Sequence, residues 1–162
     1  MRIIFLDIDG VLNCEIFFKQ RVKSTSIIEH PDNSICKERV SWLNDLCKET
    51  EAKVVISSTW RHSGLQYCKD VLERRGATFD VIDVTPDLSF DGAVRGNEIK
   101  YWIDKNIENP SDYRDYVIID DDSDMLLWQK DNFFKTDSYA GLTPNICYRI
   151  KRFFEGKACT TH

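Results

Sequence analysis

Three short apolar runs in this chain end abruptly in polar clusters. Arg2-Ile3-Ile4-Phe5-Leu6 runs into Asp7-Ile8-Asp9-Gly10, Lys53-Val54-Val55-Ile56 into Ser57-Ser58-Thr59-Trp60-Arg61, and Tyr116-Val117-Ile118-Ile119 into Asp120-Asp121-Asp122-Ser123-Asp124. Near-continuous apolar runs mark strands covered on both faces, as in parallel sheets. Between them the hydrophobic period lengthens to that of helices. Cys36, Val40, Leu43, Leu46 and Cys47 predict a helix from caps at Asn33-Ser34 to about Thr50. A second helix is predicted from Gly64 to Arg75, ending at Gly76, and a third from Asn97 to Asn106 with Ile99, Trp102 and Ile103 on one face. Phe79 to Val84 and Phe133 to Thr136 read as further strands, Thr85 to Val94 as a loop, Met125 to Trp128 as a short helix, and Pro144 to Phe154 as a closing helix. Strands alternating with helices give an α/β fold with a parallel, doubly wound, Rossmann-like sheet. Such sheets bind ligands beyond the carboxyl ends of their strands, where all three polar clusters fall.

The first cluster carries the chemistry. Asp7 and Asp9 flank one isoleucine and share a face of an extended strand. Carboxylates so close repel unless a cation lies between them or one holds a proton. Three consecutive aspartates at 120–122 pose the same problem and have the same solution. Both clusters therefore point to a metal or to acid–base chemistry rather than to solvated turns.

Asp7-Ile8-Asp9-Gly10-Val11-Leu12 resembles the DxDG[TV]L signature of the haloacid dehalogenase-like (HAD) superfamily of phosphohydrolases. The resemblance implies that Asp7 is the nucleophile, forming an aspartyl-phosphate, and that Asp9 is the general acid and base. It also implies a magnesium ion held by Asp7, the main-chain carbonyl of Asp9, Asp120 and Asp121, with Asp124 acting through water and Asp122 facing solvent. Ser57 occupies the place of the superfamily's phosphate-binding Ser/Thr, with Ser58 or Thr59 taking that role if the strand ends one residue later. Arg61 is a candidate for clamping a second phosphate and equally for a structural role, while His62 reads as surface. Arg95 at a helix entrance and Lys100 within the helix both offer the cation of the third motif, and Arg95 is preferred because charge and helix terminus can face one anion. Four motifs in this order are similar to the small, cap-poor branch that includes polynucleotide-kinase 3′-phosphatase domains and HAD domains linked to RNA repair. Ala140-Gly141-Leu142-Thr143 before the last helix fits that branch, and no GxxxxGK[ST] P-loop is present.

Composition bounds the rest. With 162 residues, 42% hydrophobic and 30% charged, a single domain over 1–162 is expected. The stretch at about 11–30, with Phe17-Phe18 and alternating Lys19, Arg21 and Lys23, predicts a hairpin or extended flap rather than a helix, too small for a large cap. Six cysteines, at 14, 36, 47, 68, 147 and 159, show no ligand spacing and no signal peptide is seen, so reduced thiols in the cytoplasm are expected. No apolar run reaches membrane-spanning length. A net charge of −5 disfavours a long polyanion but leaves a phosphorylated nucleotide or oligonucleotide end as a substrate, its bases stacking on Trp60. Two other classes compete with a phosphatase. A phosphoacceptor receiver domain places its acceptor on the third strand, where Asp83 stands, but wants a lysine after the fifth. A silent phosphate-binding module has no use for Asp9 as a proton shuttle.

Overall fold

A computed structural model describes residues 1–22, 34–107 and 115–156. Five parallel strands form one sheet: β1 (Ile3–Leu6), β2 (Lys53–Ile56), β3 (Val81–Val84), β4 (Tyr116–Asp120) and β5 (Phe133–Lys135). Their spatial order is β3-β2-β1-β4-β5, with Leu6 level with Ile56 on one side and Ile119 on the other. The order reverses on either side of β1, and the crevice of a doubly wound sheet opens at such a reversal. Asp7 and Asp120 thus leave adjacent strands at the same end of the sheet. Polar atoms at that end and apolar ones along the strands follow directly from the sequence of each run.

The helices are α1 (Glu15–Val22), α2 (Lys37–Thr50), α3 (Leu65–Arg74), α4 (Arg95–Asn106) and α5 (Pro144–Phe154). Ile4, Leu6, Val54 and Ile56 pack with Leu43 of α2, Leu72 of α3 and Ile150 of α5 on one face. Ile3, Phe5, Val55 and Ile118 pack on the other against Ile99, Trp102 and Ile103 of α4. Alternate residues of each strand therefore serve opposite cores, which is why the runs lack polar positions. Phe5 is buried completely and meets Trp102 and Tyr116 edge-on, at centroid distances of 5.4 and 5.9 Å.

Several expected details change. Residues 15–22 form a helix, not a hairpin, while Lys23 and the rest of the proposed flap lie outside the described residues. The amides of Glu15 and Ile16 donate to the carbonyls of Ser138 and Tyr139, and Lys19 lies over the Tyr139 ring, so tertiary contacts overrule the period-two polarity. Helix α2 begins after Cys36, without a side-chain cap, rather than at Ser34, and Asn33 lies outside the described residues. The third helix starts two residues earlier than expected, at Arg95, because Asp124 caps it. The Arg95 amide donates to Asp124 Oδ2 at 3.1 Å, and the Gly96 amide to the Asp124 carbonyl at 3.2 Å. The short helix expected at Met125 is a single 3₁₀ turn, Leu127–Gln129. No helix among the described residues is long and apolar enough to cross a membrane. The five described cysteines are free thiols.

Candidate active site

Strand β1 delivers Asp7 into the crevice, and its amide donates to the Ile119 carbonyl of β4 at 3.0 Å. The chain then turns tightly, the amides of Val11, Leu12 and Asn13 all donating to the Ile8 carbonyl. Gly10 makes the turn with φ +71°, and its main chain lies against the Asp121 carboxylate. A side chain at this position meets both a strained backbone and a carboxylate. From the far side Thr136 Oγ1 donates to the Gly10 carbonyl at 3.0 Å, and the Leu142 amide to the Val11 carbonyl at 2.8 Å. Arg39 of α2 holds this buttress in place, donating to the Ala140 carbonyl from Nε at 3.1 Å and from Nη2. Gly141, with φ +69°, lets the buttress approach, since a Cβ there would sit 2.7 Å from the Val11 carbonyl oxygen.

Asp7, Asp120 and Asp121 each place an oxygen within 4.8 Å of the other two. Asp7 and Asp120 are buried and Asp121 is partly exposed. Burial pushes the Asp7 carboxyl up to about 6, against the opposing pull of Arg95 and a Ser58 hydrogen bond. Burial, with Asp7 adding its charge, pushes Asp120 up to about 7. Asp121 is also raised, by desolvation and then by Asp122. Arg95 stands beside two of them: its Nη1 lies 3.4 Å from Asp7 Oδ1 and 3.8 Å from Asp120 Oδ2. Asp120 Oδ1 accepts from the Asp122 amide at 2.9 Å, but Asp120 Oδ2 is buried with no hydrogen-bond partner among the described residues. An orphaned buried carboxylate oxygen beside two other carboxylates fits a hard divalent cation such as magnesium, which takes oxygen ligands.

Asp9 is exposed and stands apart from this trio. Its Oδ1 accepts from Asn13 Nδ2 at 2.7 Å and its Oδ2 from Trp60 Nε1 at 3.1 Å. The second strand ends at Ile56, and both serines after it are fully buried. Ser58 is the one whose side chain hydrogen-bonds Asp7, whereas Ser57 Oγ has no partner among the described residues. Ser58, the alternative weighed from the sequence, is thus the hydroxyl in contact with Asp7, and Ser57, the first choice, is the buried residue just before it.

Arg61 sits differently from a phosphate clamp. It is 8% exposed, and its Nη2 donates to both Glu98 oxygens at 2.9 and 2.8 Å, while Nη1 reaches the Ser57 and Ser58 carbonyls. Glu98 Oε1 also accepts the Leu88 amide, so the pair ties the chain after β2 to the loop before α4. Lys100 pairs with Asp104 on the exposed side of α4. Asp124 is engaged at the α4 N-terminus, Asp122 is exposed, and His62 faces Asp87 at 3.4 Å. The half-buried Trp60 ring packs against the core and lies 6.4 Å from Tyr67. Sequence reasoning missed Asn13, Glu98, Arg39 and Thr136. Asn13 had a local signal, its place at the end of the DxDG turn; the others act through partners distant in sequence.

Comparison with curated proteins and with solved structures finds no match. Residues 3–146 match the family described as the HAD domain in Swiss Army Knife RNA repair proteins, which points to a HAD-type phosphohydrolase. That match spans most of the chain and all four motifs, and the all-parallel sheet agrees with it: the chain belongs to the family of HAD domains in Swiss Army Knife RNA repair proteins.

Proposed function

We propose that this domain is a magnesium-dependent phosphomonoester hydrolase working through an aspartyl-phosphate on Asp7, with a phosphorylated nucleotide or nucleic-acid end as substrate. The observation that carries it is the grouping of Asp7, Asp120 and Asp121 around a buried oxygen that has no hydrogen-bond partner among the described residues, with Arg95 beside Asp7 and Asp9 held separately. Asp7, the Asp9 carbonyl, Asp120 and Asp121 would hold the ion. Magnesium, when bound, neutralises charge on the phosphoryl oxygens.

The chain's own groups divide the remaining work. Asp7 Oδ attacks phosphorus, so an O–P bond forms as the bond to the leaving oxygen breaks. Asp9 gives that oxygen its proton, then takes one from the water that cleaves the aspartyl-phosphate. Arg95 and the Ser58 hydroxyl bind phosphoryl oxygens, and Arg95 leaves its contact with Asp7 to do so. Arg61 positions the Ser57-Ser58 segment through its carbonyls rather than touching phosphate.

The family description supports nucleic acid as the substrate class, and a terminal 3′-phosphate is our first choice. The net charge of −5 confines contacts to the last few nucleotides. A reducing cytoplasmic setting accords with the free thiols. A phosphoacceptor module without turnover has no need of the doubly anchored Asp9. The test is phosphate release from p-nitrophenyl phosphate, from 3′- and 5′-phosphorylated oligoribonucleotides and from mononucleotides, with magnesium and with chelator. Magnesium-dependent release with the 3′-phosphorylated oligonucleotide preferred is expected. No release from any substrate by the folded, magnesium-loaded protein would overturn the hydrolase reading, and indifference among substrates would overturn the nucleic-acid reading alone.

A further inference from the structure

We infer that Trp60 and Asn13 are positioning residues for proton transfer by Asp9, an inference that rests on the hydrolase reading above. Asp9 is exposed, and an exposed aspartate samples several rotamers, which dilutes its effective concentration at a reacting atom. Here each of its oxygens has its own donor, from a different part of the chain. Asn13 Nδ2 takes Oδ1 at 2.7 Å from within the same turn, and Trp60 Nε1 takes Oδ2 at 3.1 Å from the 3₁₀ helix Thr59–Ser63.

Both donors are themselves fixed. Asn13 Oδ1 accepts the Gly10 amide at 3.0 Å, which turns its NH₂ group toward Asp9. The Trp60 amide donates to Ser58 Oγ, its carbonyl accepts from the Cys68 thiol, and its ring packs on the core beside Tyr67. An indole N–H only donates, so it orients the carboxylate without competing for the transferred proton, and each carboxylate oxygen keeps a second lone pair for that proton. The same Ser58 that hydrogen-bonds Asp7 thus anchors the residue that holds Asp9, coupling nucleophile and proton shuttle through one segment.

The two half-reactions separate this role from general damage to the site. In the first, the Asp7 O–P bond forms, the P–O bond to the leaving group breaks, and Asp9 protonates the leaving oxygen. In the second, water oxygen bonds to phosphorus, the Asp7 O–P bond breaks, and Asp9 accepts the water proton. p-Nitrophenolate leaves without protonation, while a ribose oxygen does not. Trp60→Phe keeps an aromatic ring and removes only the donor. With p-nitrophenyl phosphate it should form the aspartyl-phosphate at close to the wild-type rate and then stall, giving a stoichiometric burst of p-nitrophenol before a steady state slowed about 10–100-fold, within the range of general acid–base effects. With a 3′-phosphorylated oligonucleotide both steps should slow, and no burst should appear. Asn13→Ala should show the same pattern, and it serves as the test if Trp60→Phe fails to fold by circular dichroism. Unchanged kinetics, or equal losses on both substrates without a burst, would overturn the positioning role. Wild-type protein that turns over neither substrate would instead overturn the hydrolase reading on which it stands.

Discussion

The Asp121 carboxylate lies against Gly10 so closely that a Cβ on that glycine would sit 2.2 Å from its Oδ2. The glycine of the DxDG turn is therefore required twice, by its φ of +71° and by the carboxylate packed on it. Gly10→Ala should fold with a loss of about 1–2 kcal/mol from the left-handed backbone. It should also push Asp121 away from Asp7 and Asp120, weakening magnesium activation at least tenfold. Urea unfolding and a magnesium titration of activity check the two effects separately.

The raised carboxyls make the metal-free fold sensitive to pH in a definite direction. Asp7, pushed up to about 6, and Asp120, up to about 7, hold protons more tightly in the fold than in the unfolded chain, where the ordinary value is 3.8. Between about pH 4 and 7 the folded protein binds more protons, so its stability falls as pH rises through that window. Each tenfold in proton affinity is worth about 1.4 kcal/mol. Without metal, the unfolding midpoint should therefore rise when pH is lowered from 7.5 to 5.5. Saturating magnesium, which competes with those protons, should stabilise more at pH 7.5 than at 5.5. Thermal unfolding at both pH values, with magnesium and with chelator, reads both signs. A magnesium effect equal at the two pH values contradicts the assignment of these carboxylates as ligands.

Arg61 and Glu98 form a buried pair, 8% and 2% exposed. Breaking such a pair leaves a charge without a partner, at a cost of about 3–5 kcal/mol. Glu98→Ala and Arg61→Ala should lose that much stability, and Arg61→Lys should recover little, because a lysine lacks the fork that meets both Glu98 oxygens. A direct phosphate clamp makes the opposite prediction: Arg61→Lys would raise KM for substrate with little change in unfolding midpoint.

Arg95 and Lys100 differ in the same experiment. Arg95→Ala should lower kcat/KM at least 100-fold, about 2.7 kcal/mol of barrier. Lys100→Ala removes an exposed pair with Asp104 and should change activity less than twofold, at a cost of a few tenths of a kcal/mol in stability. Steady-state kinetics on both variants decide between them.

Apolar runs that end in polar clusters were legible because these strands carry their own burial pattern and their own polar end. Asp7, Asp120 and Asp121 come together because β1 and β4 are neighbours; the alternation of elements placed both clusters at the carboxyl end of the sheet but did not give that order. Helix α1 was not legible, since its first amides are satisfied by carbonyls of Ser138 and Tyr139. The pairing of Arg61 with Glu98 and of Trp60 with Asp9 spans 37 and 51 residues, and neither partner's type announces the other. Ser57 and Ser58 are both buried at the same strand end, so only side-chain direction tells which faces the nucleophile.

Covalent capture of the phosphoryl group tests the mechanism most directly. Protein mixed with magnesium and a ³²P-labelled phosphomonoester, quenched in acid within the first turnover, should carry label that is released by hydroxylamine and maps to the peptide containing Asp7. Asp9→Asn should accumulate more of it, because the water that cleaves the intermediate has lost its base, and Asp7→Asn should carry none. Label on another residue, or turnover by Asp7→Asn at anything near the wild-type rate, would contradict the nucleophile assigned to Asp7.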